Sequence, residues 1–154
     1  MMKRAEGATN VDPIVCLNPI RGTWRVRLGI TPTETGAEWY EHDFDHRPTA
    51  DEVRSLFVSM VNEKVQQSIL TGFVYEGCPV YLSIENQVTF RNSMTCPVRL
   101  KLGEAADGSP VYYEFTSASK LTEFQKAVGN HVQKCLDEGW IEKDAFDVEP
   151  YLRE

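Results

Sequence analysis

Between two strongly patterned helical stretches, residues Phe73 to Phe115 carry only short β-prone runs: FVYEG, PVYLS, PVRLKLG and PVYYEF. Runs of this length are hairpin strands, and strands gathered between helices, without strict β-α-β alternation, belong to the α+β class. None of the four runs carries a recognisable catalytic signature. The chemistry of the chain therefore has to be sought in its charge, its surfaces and isolated side-chain groupings.

The strongest local signal lies just upstream. In Arg47-Pro48-Thr49-Ala50-Asp51-Glu52, Thr49 followed three residues later by Glu52 forms a capping box, and Asp51 adds negative charge to the first turn. Val53, Leu56, Phe57, Met60, Val61, Val65 and Ile69 then fall on one stripe, which predicts an amphipathic helix ended by Gly72. A second helix is predicted from near Ser119 to near Gly139, with Leu121, Phe124, Val128, Val132, Cys135 and Leu136 on its inner side.

The strands read with less certainty of phase. T-W-R-V-R-L-G-I (Thr23 to Ile30) alternates, setting Trp24, Val26, Leu28 and Ile30 on one face and Arg25 and Arg27 on the other. The turn Thr31 to Gly36 leads into a returning strand, Ala37 to Phe44, with Trp39 available to the core. Phe73 to Leu82 predicts a tight hairpin around Glu76-Gly77, and Pro97 to Leu102 pairs with Val111 to Phe115. Residues Ile84 to Cys96 fit a short helix and an irregular excursion equally. The resulting expectation is an α+β fold: an antiparallel sheet of about six strands with two amphipathic helices packed on one face. Residues 1–20 are expected as an irregular N-terminal arm, 21–140 as a single domain and 141–154 as a C-terminal tail that docks back or clasps a neighbour.

With 154 residues and 42% apolar content, the chain is long enough for one self-sufficient core. Its net charge of −7 repels nucleic acid and anionic lipid, so a protein is the favoured large partner and nucleic acid is unlikely. No apolar run reaches the roughly 20 residues that span a bilayer. Cys16, Cys78, Cys96 and Cys135 form no C-x-x-C pair, and reduced, mostly buried thiols are expected.

Candidate sites are few. His42-Asp43-Phe44-Asp45-His46 holds two histidines and two carboxylates, but in a strand the histidines share a face with Phe44 while the aspartates point away. A metal enzyme built on His42, Asp45 and His46 is one reading, against that of a charged strand end leading into the helix cap. Glu85, Asn86 and Gln87 follow a strand and are placed to present polar groups from a loop. Tyr75, Tyr81 and Trp140 are the aromatic candidates for a protein-facing patch. The acidic run G-E-A-A-D-G (Gly103 to Gly108) reads as a hairpin turn and not as a phosphate loop.

The pattern G-F-V-Y-E-G-C-P-V-Y-L-S-I-E-N-Q (Gly72 to Gln87), followed by Val111-Tyr112-Tyr113-Glu114-Phe115 and a helix closing on Gly139-Trp140, resembles an uncharacterised domain of tailed-bacteriophage proteins found in or near tail and tail-fibre genes. The resemblance covers roughly residues 53–145. It implies a compact structural or assembly protein, tail- or connector-associated, located in the virion or the infected bacterial cytoplasm. Its partners would be other phage structural proteins and further copies of itself, with no cofactor, and the resemblance identifies no catalytic residue. A small metal-binding enzyme and a host-directed inhibitor, for which the acidic charge would serve as nucleic-acid mimicry, are the alternative expectations.

Overall fold

The computed structural model describes residues 2–153. In chain order its elements are β1 (Lys3–Gly7), β2 (Ile14–Asn18), β3 (Thr23–Pro32), β4 (Ala37–Phe44), α1 (Ala50–Thr71), β5 (Phe73–Tyr75), β6 (Cys78–Val80), α2 (Ile84–Asn92), β7 (Val98–Glu104), β8 (Pro110–Phe115), α3 (Ala118–Asp144) and a 3-10 turn at Glu149–Tyr151. They form two compact units, Met1–Val61 with Glu142–Glu154, and Asn62–Ile141.

The first unit holds an antiparallel sheet of order β1-β4-β3-β2. Residues 1–20, expected as an irregular arm, supply both of its edge strands: β1 adds to β4 and β2 adds to β3. The register Val26↔His42 and Leu28↔Tyr40 sets those four residues on one face, and Val26 and Leu28 are fully buried there. The opposite face carries Arg25, Arg27, Trp39, Glu41 and Asp43. Trp39 is buried on that charged face, with its ring against Gly7 of β1, its Nε1 donating to Glu41 at 3.1 Å and Arg27 stacked over it at 5.4 Å. The helix α1 starts as its capping box demands, with Glu52 N donating to Thr49 Oγ1 at 3.2 Å and Thr49 N to Glu52 Oε1 at 3.1 Å.

Residues 142–153 complete this unit. Phe146 stacks on Phe57 with ring centroids 4.0 Å apart, and Tyr151 donates its hydroxyl to Arg27 O at 2.7 Å. The reason is local: Arg27 N donates to Pro13 O at 2.7 Å, but Pro13 has no N–H to return, and the Tyr151 hydroxyl supplies the donor that the ladder lacks.

The second unit is built from two hairpins, two helices and the last turns of α1. Its centre is Phe124 of α3, fully buried against Phe73, Tyr75, Phe90 and Phe115. The β5–β6 turn is the tight one expected, with Glu76 and Gly77 both at positive φ (48° and 78°).

The single six-stranded sheet with two helices is therefore corrected to three separate sheets of four, two and two strands with three helices. The physical reason is visible at β6. It is three residues long, Pro79 cannot donate, and the backbone bond from Tyr81 N to Leu102 O at 2.8 Å lies beyond the strand's end, so the hairpins touch without forming a common ladder. The ambiguous stretch after Ile84 is a helix, and α3 continues past Gly139 to Asp144.

Candidate functional site

A hollow of the second unit lies where β6, β7, the end of α1 and the start of α2 meet. It measures about 580 Å³ and is lined by Leu70, Thr71, Pro79, Val80, Tyr81, Ser83, Asn86, Lys101, Gly103 and Glu104. Gly103 sits at a bulge in β7, and a Cβ there would stand 3.4 Å from Pro79 O and 3.5 Å from Tyr81 N, so its bareness lets the two hairpins approach. Lys101 and Glu104 pair at 3.3 Å on the wall. Ser83 caps α2 by accepting from Asn86 N at 3.2 Å.

Of the residues expected to bind partners, Tyr81 and Asn86 line this cleft. Tyr81 is half-exposed, whereas Asn86 spends its amide on Tyr81 O at 2.8 Å and Gln87 spends its own on Leu82 O at 2.9 Å. These two side chains brace the start of α2 and do not reach outward as a loop triplet would. Glu85 is exposed. Tyr75 is corrected outright: it is 7% exposed, enclosed by Tyr113, Phe115 and Phe124, and offers no surface to a partner. Trp140 is exposed on α3 and is not among the cleft's lining residues.

Sequence reasoning missed Ile84 and Val88, which stand four residues apart on one exposed face of α2. It also missed the cleft residues Ser83 and Glu104. A signal existed for the helix, since Ser83 is followed by Asn86 at the third position, one methylene short of a capping box.

The histidine grouping does not assemble as a ligand set. His42, Phe44 and His46 form an edge-to-face row with centroids 4.9 and 5.7 Å apart. His46 Nδ1 meets Asp45 at 2.6 Å and Nε2 meets Glu52 at 2.7 Å, so neither nitrogen has a lone pair directed at open space. Among the described residues no group of three or more His, Cys, Asp or Glu side chains is arranged to hold a metal ion. The four cysteines are unpaired, and burial raises the Cys135 thiol above its ordinary range.

One further polar cluster lies on the second unit, where Tyr113 donates its hydroxyl to Glu76 and Lys120 Nζ reaches the same carboxylate at 3.4 Å. The Glu76 carboxylate pushes the Tyr113 phenol up to about 12 and is itself lowered, which locks the group as a neutral donor on an anion, the reverse of a poised general base.

Comparison with known proteins yields no match: no family model, no curated protein and no solved structure aligns with this chain. Function has to be argued from the site. Among the described residues no helix is long and apolar enough to cross a membrane. The cleft offers an exposed aromatic, Tyr81, a paired lysine and carboxylate, and the start of a helix.

Proposed function

We propose that this chain is a protein-binding module of an assembly, and that the cleft beside α2 receives a segment of a neighbouring protein. The observation that carries the reading is the cleft with Tyr81, 48% exposed, in its lining; Ile84 and Val88 are exposed on another face of the adjoining helix α2. Single exposed apolar residues are ordinary, but an exposed aromatic in the lining of a cleft is what a partner's anchor residue covers. The resemblance to the tailed-phage domain supports a setting among phage structural proteins, in the virion or the infected cell.

Photo-crosslinking tests this directly. With a photoreactive residue at position 81 in the full-length chain, infected cells are expected to yield adducts with virion structural proteins. Tyr81→Ala should weaken that contact by about tenfold or more, as the loss of an interface anchor does. Adducts confined to a host enzyme would replace this reading with the inhibitor one. Absence of adducts, with normal particle yield for Tyr81→Ala, would remove the cleft from any binding role.

A further inference from the structure

Gly129 stands in the interior of α3, where glycine weakens a helix relative to alanine. Packing within the fold does not account for it, because a Cβ placed there would meet no atom within 4 Å. The missing side chain opens a groove of about 280 Å³ between α2 and α3 instead. Phe90 and Val128, both buried, and the half-buried Val132 give it an apolar floor, and the bare backbone at Gly129 leaves one wall flat. A cavity of roughly 150 Å³ holds one benzene ring, so this groove has room for a ring bearing a short substituent.

Charge selects the substituent. Arg91 is the one charged residue in the lining, and Lys126 lies one turn before Gly129 on α3. Both side chains are exposed, and neither has a polar partner among the described residues. Two unpaired cations beside an apolar floor, on a chain of net charge −7, match a carboxylate attached to an apolar body. The three glutamines of the lining already use their amide nitrogens: Gln87 donates to Leu82 O at 2.9 Å, Gln125 to Phe90 O at 2.8 Å and Ser93 O at 2.7 Å, and Gln133 to Asp137 Oδ1 at 2.9 Å. What they leave for a ligand is carbonyl oxygen, an acceptor for a ring N–H. We infer that the groove between α2 and α3 binds a small aromatic acid, its ring against Gly129, its carboxylate on Arg91 and a ring N–H on a glutamine carbonyl. This groove shares no lining residue with the cleft beside β6 and stands whether or not that cleft receives a polypeptide.

Indole-3-acetate carries all three features and is the probe, titrated into the intact, isotopically labelled chain while the backbone amides are followed by NMR. Saturable shifts are expected in residues 87–91 and 125–133, with a dissociation constant on the order of 1 mM or tighter, which a ligand of about a dozen non-hydrogen atoms supports. Arg91→Gln should weaken binding about tenfold. Tryptamine, the same ring with an ammonium in place of the carboxylate, should not bind. Gly129→Leu should abolish binding while keeping or raising the thermal midpoint, because leucine fills empty space and is the better helix former. The inference is overturned by the absence of saturable shifts at several millimolar, by shifts confined to the cleft residues 79–83 and 101–104, by tryptamine binding as tightly as the acid, or by undiminished binding in Arg91→Gln or Gly129→Leu. A thermal midpoint that falls in Gly129→Leu would overturn it too, since the glycine would then serve the fold.

Discussion

His46 is the residue at which pH should act on this fold. Its ring joins Asp45 to Glu52, and hydrogen bonding first to Asp45 and then to Glu52 raises its pKa above the ordinary 6.5, while Asp45 and Glu52 are both lowered. A histidine raised on folding contributes stability that is complete below its unfolded pKa and disappears as pH climbs through the folded one. The lowered carboxylates contribute above their unfolded pKa values and lose that contribution as pH falls. The cluster therefore stabilises most in the mildly acidic window between the two, and thermal unfolding followed from pH 5 to 9 should show a decline on the alkaline side that His46→Asn flattens. An identical pH profile in the variant would show that this exposed cluster adds nothing. The face shared by His42, Phe44 and His46 was legible in the alternation of β4. The placement of Trp39 was not: A-E-W-Y-E-H-D-F offers no clean contrast of polar and apolar positions, and only the register Leu28↔Tyr40 sends the indole to the charged side.

Elements were legible in proportion to their local signals. α1 announced its start through Thr49 and Glu52, and α3 its inner face through Leu121, Phe124 and Val128. α2 did not, because nine residues containing Val88-Thr89 are too few to form a stable helix alone, and its order comes from tertiary contacts. Phe90 anchors it at 1% exposure, Ser83 caps its start, and Gln125 of α3 donates to Phe90 O at 2.8 Å and Ser93 O at 2.7 Å at its end. Gln125→Ala removes both end contacts without altering α2's own sequence. It should cost about 1–3 kcal/mol through two carbonyls left short of a donor, and it should speed amide exchange in α2 ahead of the rest of the second unit. Unchanged exchange across residues 84–92 would mean that Phe90 alone holds the helix. The strands β1 and β2 were not read as strands for a similar reason: five residues each, with β2 set between Pro13 and Pro19, they take their structure from the edges of the β3–β4 hairpin.

At the scale of the molecule, the chain's two ends meet in one unit. Residues 141–154 were expected to dock back or to clasp a neighbour, and the segment carrying Phe146 and Tyr151 is bound to the first unit's own sheet and helix, as β1 and β2 are bound to its sheet. That segment is consequently a stability element. The Tyr151 phenol, raised to about 12 by burial, remains a neutral donor at any ordinary pH, so its bond to Arg27 O should not titrate. Tyr151→Phe keeps the ring and deletes the donor, leaving Arg27 O without the partner that Pro13 cannot provide; the expected loss is about 1–2 kcal/mol. Ending the chain at Ile141 removes the Phe146 stack as well and should lower stability several times further. Trp24 and Trp39 both lie in the first unit, so their fluorescence in a Trp140→Phe background reports it without interference from the second. A urea midpoint by that signal that falls stepwise from the intact chain to Tyr151→Phe to the truncated chain would establish the ordering, and equal midpoints for all three would show that the first unit's core is complete without residues 142–153.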